Sequence, residues 1–271
     1  FFEELLTMSR KYDSSTTTFS PEGRLYQVEY AMECISNAPA ALGILAKDGV
    51  VLAAEKKLNS KLLDSENNGK HSDVAFEKMF KIDDHVAVAA AGWTSDANIL
   101  INYARVSAQR HTYTYQEPMP VEQLIQQMCD LKQGYTQFGG QRPFGVSYLY
   151  SGWDAYLGFQ LYHSDPSGNY ASWKANAIGG NSAAAVNMLK QEWKEELNVK
   201  DSILLAIKVL SKTMDAATLS PDRLEFATLT LDADNNPTFH ILKTQELKNY
   251  LAEAKEIQEK EDKEKEKASK Q

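Results

Sequence analysis

Apolar positions along the chain follow two rhythms, one spaced as on a helix and one in short continuous runs, and the two alternate in blocks. After Ser20, Pro21 and Glu22, the residues Leu25, Val28, Met32 and Ile35 fall on one helical stripe, with Tyr26 and Tyr30 on a second. Ser20 is a suitable cap, Pro21 suits a first helical turn and Glu22 favours the positive end of the helix dipole. The pattern predicts a helix ending at Ser36-Asn37-Ala38-Pro39. Two apolar runs, AALGILA and GVVLAAEKK, follow around Lys47-Asp48-Gly49, and an Asp-Gly pair between such runs signals a hairpin. VAFEKMFKI and HVAVAAAG form a second pair, with the turn expected at Asp83-Asp84.

Two helical patterns come next. Ser95 is placed to cap the first, whose stripe is Ala97, Leu100, Ile101, Ala104 and Ala108. Pro120 opens the second, with Val121, Leu124, Ile125, Met128 and Tyr135 on one face. RPFGVSYLYSGWDAYLGFQLYHSD returns to strands, with turns expected at Gly152-Trp153-Asp154 and Asp165-Pro166-Ser167-Gly168. Helices resume after Gly179-Gly180-Asn181-Ser182, first with Ala185, Leu189 and Trp193 on one face, then with Ile203, Ile207 and Leu210. RLEFATLTL and PTFHILK close the strand region. Strands in hairpin-like pairs and helices in pairs imply an α+β fold, with two antiparallel sheets stacked face to face and helices covering each outer side. A doubly wound parallel sheet would alternate strand and helix singly.

This pattern divides the chain into residues 1–8, read as an upstream extension ending at a start Met8, a tail at 9–19, one sandwich domain at 20–245 and a charged segment at 246–271. The amino-terminal stretch has neither the basic start nor the long apolar run of a signal peptide. SENNGKHSD, residues 65–73, reads as an exposed loop. In the last segment Leu247, Leu251 and Ala254 can pack, while EKEDKEKEKASKQ is too charged to bury and reads as a frayed, mobile tail.

At 271 residues the chain can bury a full core. A net charge of −8 argues against nucleic acid as main partner, and no run of eighteen apolar residues suggests a membrane span. Cys34 and Cys129 lie in helix-like segments without metal-ligand spacing, which fits a reducing compartment. The histidines at 71, 85, 111, 163 and 240 form no ligand pair, so no metal or other cofactor is expected. GGNSAAAV lacks the lysine and spacing of a nucleotide-binding loop and reads as a tight turn into a helix. A lysine-rich tail can act as a nuclear address, but alternating Glu dilutes that signal. Lys56, Lys57 and Lys78 are ordinary solvated lysines on residue counting alone.

Thr16, Thr17 and Thr18 carry the sharpest chemical question. A threonine becomes a nucleophile when its own free α-amine serves as base, which here requires removal of everything through Ser15. The alternative is that three β-branched residues favour extended backbone ahead of Ser20, and chemistry alone leans that way.

YDSSTTTFSPEGRLYQVEYAMECI resembles the signature of eukaryotic 20S proteasome α subunits, and the similarity continues through DGVVLAAEKK, AGWTSDANIL, YTQFGGQRPFGVSYLY, YHSDPSGNY, KANAIGGNSAAA and LAIKVLSKTMD. It covers nearly everything from Ser9 to the charged tail. The resemblance implies a four-layer α-β-β-α sandwich of the N-terminal nucleophile hydrolase type, agreeing with the residue pattern. It further implies a seven-membered ring that caps catalytic β rings, walls an antechamber and receives a regulatory particle or other activators on its outer face. Ubiquitin-dependent and ubiquitin-independent protein degradation in cytoplasm and nucleus follow as expected roles.

Counted back from Gly49, the position of the nucleophile in catalytic β relatives falls at Pro39, the acid at Glu55 and the lysine at Lys78. An acid and a lysine without a nucleophile make no hydrolase, so the resemblance implies no catalytic residue and assigns the opening threonines to a gate tail. By match to the family motif, Tyr12, Asp13, Pro21 and Tyr30 form the cluster that holds the open gate, and Lys78 pairs with the carboxyl terminus of an activator. Ser14 replaces the arginine usual after Tyr-Asp, which removes any charge pairing made there, and loop 65–73 is longer than the family pattern. Two other classes compete with a ring subunit: an autoprocessed N-terminal threonine hydrolase, and a free-standing binding module acting through the charged tail.

Overall fold

The computed structural model describes residues 15–56, 78–213 and 220–269, with side chains described as far as Ile257 in the last segment. In chain order the elements are α1 (Tyr26–Ser36), β1 (Ala41–Ala46), β2 (Gly49–Glu55), β3 (Met79–Asp83), β4 (Val86–Gly92), α2 (Thr94–Tyr115) and α3 (Val121–Gln137). They continue with β5 (Val146–Asp154), β6 (Gly158–Ser164), β7 (Tyr170–Ser172), β8 (Ala175–Ile178), α4 (Ser182–Glu192) and α5 (Val199–Thr213). A short 3₁₀ turn at Pro221–Arg223 leads into β9 (Leu224–Leu231), β10 (Pro237–Ile241) and α6 (Thr244–Ser269).

The strands form two five-stranded sheets, β10-β9-β2-β1-β8 and β3-β4-β5-β6-β7, with antiparallel pairing throughout. Both faces of each sheet are buried, so alternate residues serve different layers. In β2, Val50, Leu52 and Ala54 meet the opposing sheet, while Val51 and Ala53 meet helices. In β5, Leu149 points between the sheets and Val146, Tyr148 and Tyr150 point to α2 and α3. The helices α4, α5 and α6 cover the other outer face. The expected α-β-β-α sandwich is the observed one.

Small residues set the spacing between layers. A Cβ on Gly43 would stand 2.7 Å from the Leu161 side chain, and one on Gly152 would stand 2.5 Å from Val121. Gly152 therefore serves helix-on-sheet packing, and β5 runs through the expected turn at Gly152-Trp153-Asp154. The turn comes at residues 155–157, where the Asp154 carboxylate accepts from the N–H groups of Tyr156 (3.0 Å) and Leu157 (2.8 Å). The first hairpin turns at Lys47 and Asp48 as expected. The second turns at Asp84 and His85, one residue beyond the expected place, because Asp83 still pairs with Val86.

Three helix starts also differ from expectation. α1 begins at Tyr26, five residues after Pro21, because Ser20 closes a separate turn. Ser95 lies inside α2, which starts at Thr94 after Trp93, and Pro120 precedes α3 as its N-terminal flank. On α1 only Val28 and Ile35 are buried, and Met32 is exposed, because the helix lies across one end of the sandwich against β4 and β5. α6 continues to Ser269 through the charged segment expected to fray. The loop at 65–73 lies outside the described residues.

Lys132 ties α3 to the second sheet. It is fully buried, and its Nζ donates to the Val146 carbonyl (3.2 Å), Ser164 Oγ (2.9 Å) and the Asp165 carbonyl (3.4 Å). The ammonium also lies 4.9 Å from the centre of the Tyr148 ring. Burial pushes its pKa down to about 8. An unfolded lysine keeps its proton to the ordinary 10.5, so between these values the unfolded chain binds more protons and stability rises with pH. Burial raises the Cys129 thiol from 9.0 to about 11 and keeps Tyr148 and Tyr150 neutral well above their ordinary value of 10, which offsets the rise from pH 9.0 and reverses it above 10. Lys132→Ala should lower stability by about 2–4 kcal/mol through lost hydrogen bonds and a cavity. Lys132→Met should cost less and flatten the rise between about pH 8 and 9, by at most about 1.4 kcal/mol per pH unit, as read by urea midpoints.

Candidate functional site

Of the residues singled out by sequence, Pro21 and Tyr30 lie at the end of the sandwich that α1 crosses. Ser20 is buried and closes a loop: its N–H donates to the Arg24 carbonyl (2.9 Å), its Oγ accepts from the Arg24 N–H (3.1 Å), and Gly23 N–H donates to its carbonyl (2.9 Å). Gly23 has φ +76°, a left-handed backbone that glycine adopts freely. Pro21 sits exposed in this turn, where its locked φ favours the bend. Arg24 then pairs with Glu29 through two bonds of 2.6 Å and lies over the Tyr26 ring, linking the turn to α1. Tyr30 stacks on Tyr26 with ring centres 6.5 Å apart and is half exposed. Thus Pro21 and Tyr30 lie on the same exposed end, while Tyr12 and Asp13 lie outside the described residues.

Thr16 to Thr18 run without helix or strand before this turn, and Ser15 Oγ donates to Thr18 Oγ1 at 2.8 Å. Ser15, Thr16 and Thr17 line a cleft with Gln27 and the loop Gly139–Arg142. A second cleft of about 320 Å³ lies across Gln27 and Arg142, walled by Tyr30, Ala31, Cys34, Trp93 and Pro143. Arg142 faces both. It is held by Asp96 in a two-bond pair of 2.6 and 2.9 Å, and Asp96 also accepts from Gly145 N–H at 3.0 Å. Burial opposes the charge on Asp96, but Arg142 and the Gly145 amide outweigh it and hold the carboxyl below its ordinary range. Sequence reasoning did not single out this pair, since its members are 46 residues apart.

Lys78 lies at the other side of the α1–β1 link. Its ammonium donates to the Pro39 carbonyl and to the Ala40 carbonyl (3.1 Å), and its own N–H donates to Glu225 Oε2 (3.0 Å). Glu225 is buried on β9, and Glu55 ends β2. Burial pushes Lys78 down to about 7, against the attraction of Glu55 and Glu225. Lys56 instead uses its N–H on Arg223 at 2.7 Å, and Lys57 lies outside the described residues.

The Gly179-Gly180 turn packs on the same link. Gly180 N–H donates to the Ala38 carbonyl at 2.7 Å, and a Cβ on Gly179 would stand 2.7 Å from the Pro39 carbonyl. The Gly180 and Ser182 amides are both engaged internally, which fits a tight turn. Among the described residues no group of three or more His, Cys, Asp or Glu side chains is arranged for a metal ion, and no helix is long and apolar enough to cross a membrane. Cys34 is exposed and Cys129 buried, both free thiols.

Comparison with known proteins agrees with this arrangement. The model of the proteasome subunit family matches residues 35–229, and the model of the N-terminal signature of A-type proteasome subunits matches residues 12–33. An alpha type-4 proteasome subunit of Spinacia oleracea is 60% identical over 247 residues, covering 91% of this chain and 96% of the relative. The alpha type-4 protein of Dictyostelium discoideum is 59% identical over 256 residues, 94% of this chain and all of the relative. That of Petunia hybrida is 64% identical over 220 residues, 81% of this chain and 86% of the relative. With the sandwich, the end-capping helix and the signature in one chain, the protein belongs to the proteasome subunit family, in its α class.

Proposed function

We propose that the chain is a non-catalytic structural subunit of the α ring in the 20S proteasome core particle, at the third of seven ring positions, acting in the cytoplasm and nucleus. Its neighbours are other α subunits at its sides and β subunits beneath it. Residues 9–19 form part of the axial gate, with Tyr12, Asp13, Pro21 and Tyr30 holding its open state. The body walls the antechamber through which substrates of ubiquitin-dependent and ubiquitin-independent degradation pass.

One observation carries the reading. At the place the family assigns to the nucleophile stands Pro39, without a hydroxyl, its nitrogen in peptide linkage and its carbonyl held by the Lys78 ammonium. A lysine that would tune a nucleophile is spent here on main-chain oxygens. Threonine hydrolysis is the competing reading, and it needs a free amine at Thr16, Thr17 or Thr18. The intact mass of the native chain separates the two: a chain that keeps Tyr12 and Asp13 supports the gate, and one that begins at any of those threonines sinks it. Deleting residues 9–19 should raise hydrolysis of short fluorogenic peptides by core particle without activator several-fold. The triple change of Thr16, Thr17 and Thr18 to Ala should leave the β-subunit activity in place.

Lys78 is the proposed anchor for an activator's terminal carboxylate. Of its three ammonium donors, two meet Pro39 and Ala40 among the described residues, which leaves one for an incoming oxygen. Docking needs the charged form, so it weakens as pH rises through the pKa of about 7, which the docked carboxylate itself moves upward. A peptide with a free carboxyl terminus should bind core particle more weakly at higher pH, losing at most about tenfold per unit. Lys78→Arg should remove that dependence, and an amidated peptide should show none. Equal binding of the free and amidated peptides at low pH would refute the anchor.

A further inference from the structure

On the opposite flank of the molecule, the end of α4 and the helices α5 and α6 leave an open groove of about 230 Å³. Its floor is apolar: Leu204 and Ile207 of α5 face Leu251 and Ile257 of α6. Leu247 and Leu251 are buried by α6 packing, whereas Ile257, the last large apolar residue of the chain, is 39% exposed. The rim carries Lys194, Lys208 and Lys255 against one carboxylate, Glu192. Glu192 pairs with Lys208 at 2.8 Å, and Lys194 and Lys255 stand exposed beside the groove. In a chain of net charge −8, the lining of this groove is therefore basic.

Size and charge together select an occupant. Clefts that enclose a whole small ligand have about 300–1,000 Å³, so this one seats an anchoring side chain while the rest of the occupant lies along the rim. The rim lysines favour carboxylates there, through attraction that salt screens. We infer that the α5–α6 groove docks an acidic peptide segment of a partner protein, with one bulky apolar side chain in the groove and Asp or Glu residues on either side meeting Lys194 and Lys255. The helices supply a preformed surface, in the manner of other helix-lined grooves that read apolar anchors. The inference stands apart from the gate and from Lys78.

The test selects a phage-displayed random twelve-residue library on the full-length chain. The expected consensus is one Phe, Trp or Leu flanked by Asp or Glu. A synthetic peptide of that consensus should bind saturably and more weakly with added salt. Ser211→Trp, which fills the groove from its α5 wall, and the pair Lys194→Glu with Lys255→Glu should each weaken it tenfold or more at an unchanged unfolding midpoint. Should the tryptophan variant fail to fold, the exposed charge-reversal pair decides. The inference is overturned by no enrichment, by a consensus without acidic residues, or by binding that survives the charge reversal. Decanoate binding in the groove where no peptide binds would likewise overturn it, in favour of a small anionic amphiphile.

Discussion

The Lys78 ammonium joins the two sheets at the link that leads into β1. Lys78 precedes β3 of the second sheet, and its acceptors Pro39 and Ala40 precede β1 of the first. Its main chain reaches the same way on both sides, to Glu225 of β9 and, through its carbonyl, to Ala90 N–H of β4 at 2.8 Å. Charge buried at such a seam is costly unless its hydrogen bonds are made. Two carbonyls and the nearby Glu55 and Glu225 meet that condition. The link 38–40 is consequently held from three sides: by Lys78, by Gly180 and by Glu55, whose N–H donates to Ala40 at 2.9 Å. α1 hangs from that link, so its placement across the sandwich end follows from the same bonds.

The second buried lysine, Lys132, works differently. It meets only neutral acceptors and an aromatic face, inside the layer between α3 and the second sheet. Its neighbour Cys129 is pushed up to about 11 chiefly by burial, so that thiol is inert at neutral pH. Both lysines titrate low because burial disfavours their charge, although carboxylates lie near each, Glu55 and Glu225 beside Lys78 and Asp165 beside Lys132. A depressed pKa by itself therefore says nothing about function here. Both ammonium groups meet main-chain carbonyls, so what distinguishes Lys78 is its place at the link before β1, where the proposed anchor would act.

Element type was legible in the sequence wherever periodicity ran long. The stripes of α2, α3 and α5 are buried as their spacing implies, apart from the half-buried Tyr135, and blocks of paired strands and paired helices pointed to the sandwich. Boundaries were less legible because single residues admit two uses. Gly152 reads as a turn residue but makes room for Val121, and Ser20 reads as a helix cap but closes a turn six residues before the helix. The site was legible only through the family motif. Nothing in the spacing of Lys78, Pro39 and Glu225, or of Asp96 and Arg142, announces contacts across dozens of residues. Lys132 gave no local sign either, since a lysine among Asp130, Leu131 and Gln133 looks solvated.

The displaced start of α1 has a mechanical consequence. Because Ser20–Arg24 is a closed turn and not the first turn of the helix, Pro21 stands outside the hydrogen-bond ladder of α1. Movement of the segment before Ser20 can be taken up in that turn, where Gly23 already has a left-handed backbone, without breaking a helical bond. The Arg24–Glu29 grip resists such movement only weakly, since both side chains reach solvent and exposed pairs contribute about 0–1 kcal/mol. Downstream, Val28 and Ile35 anchor α1 in the core, and Ser36 leads into the link fixed by Lys78. The junction therefore grades from a compliant turn to a rigid helix within a dozen residues. In the proposed gate, a tail that shifts relative to its ring would need that gradient, and the sequence supplies it by separating the proline from the helix.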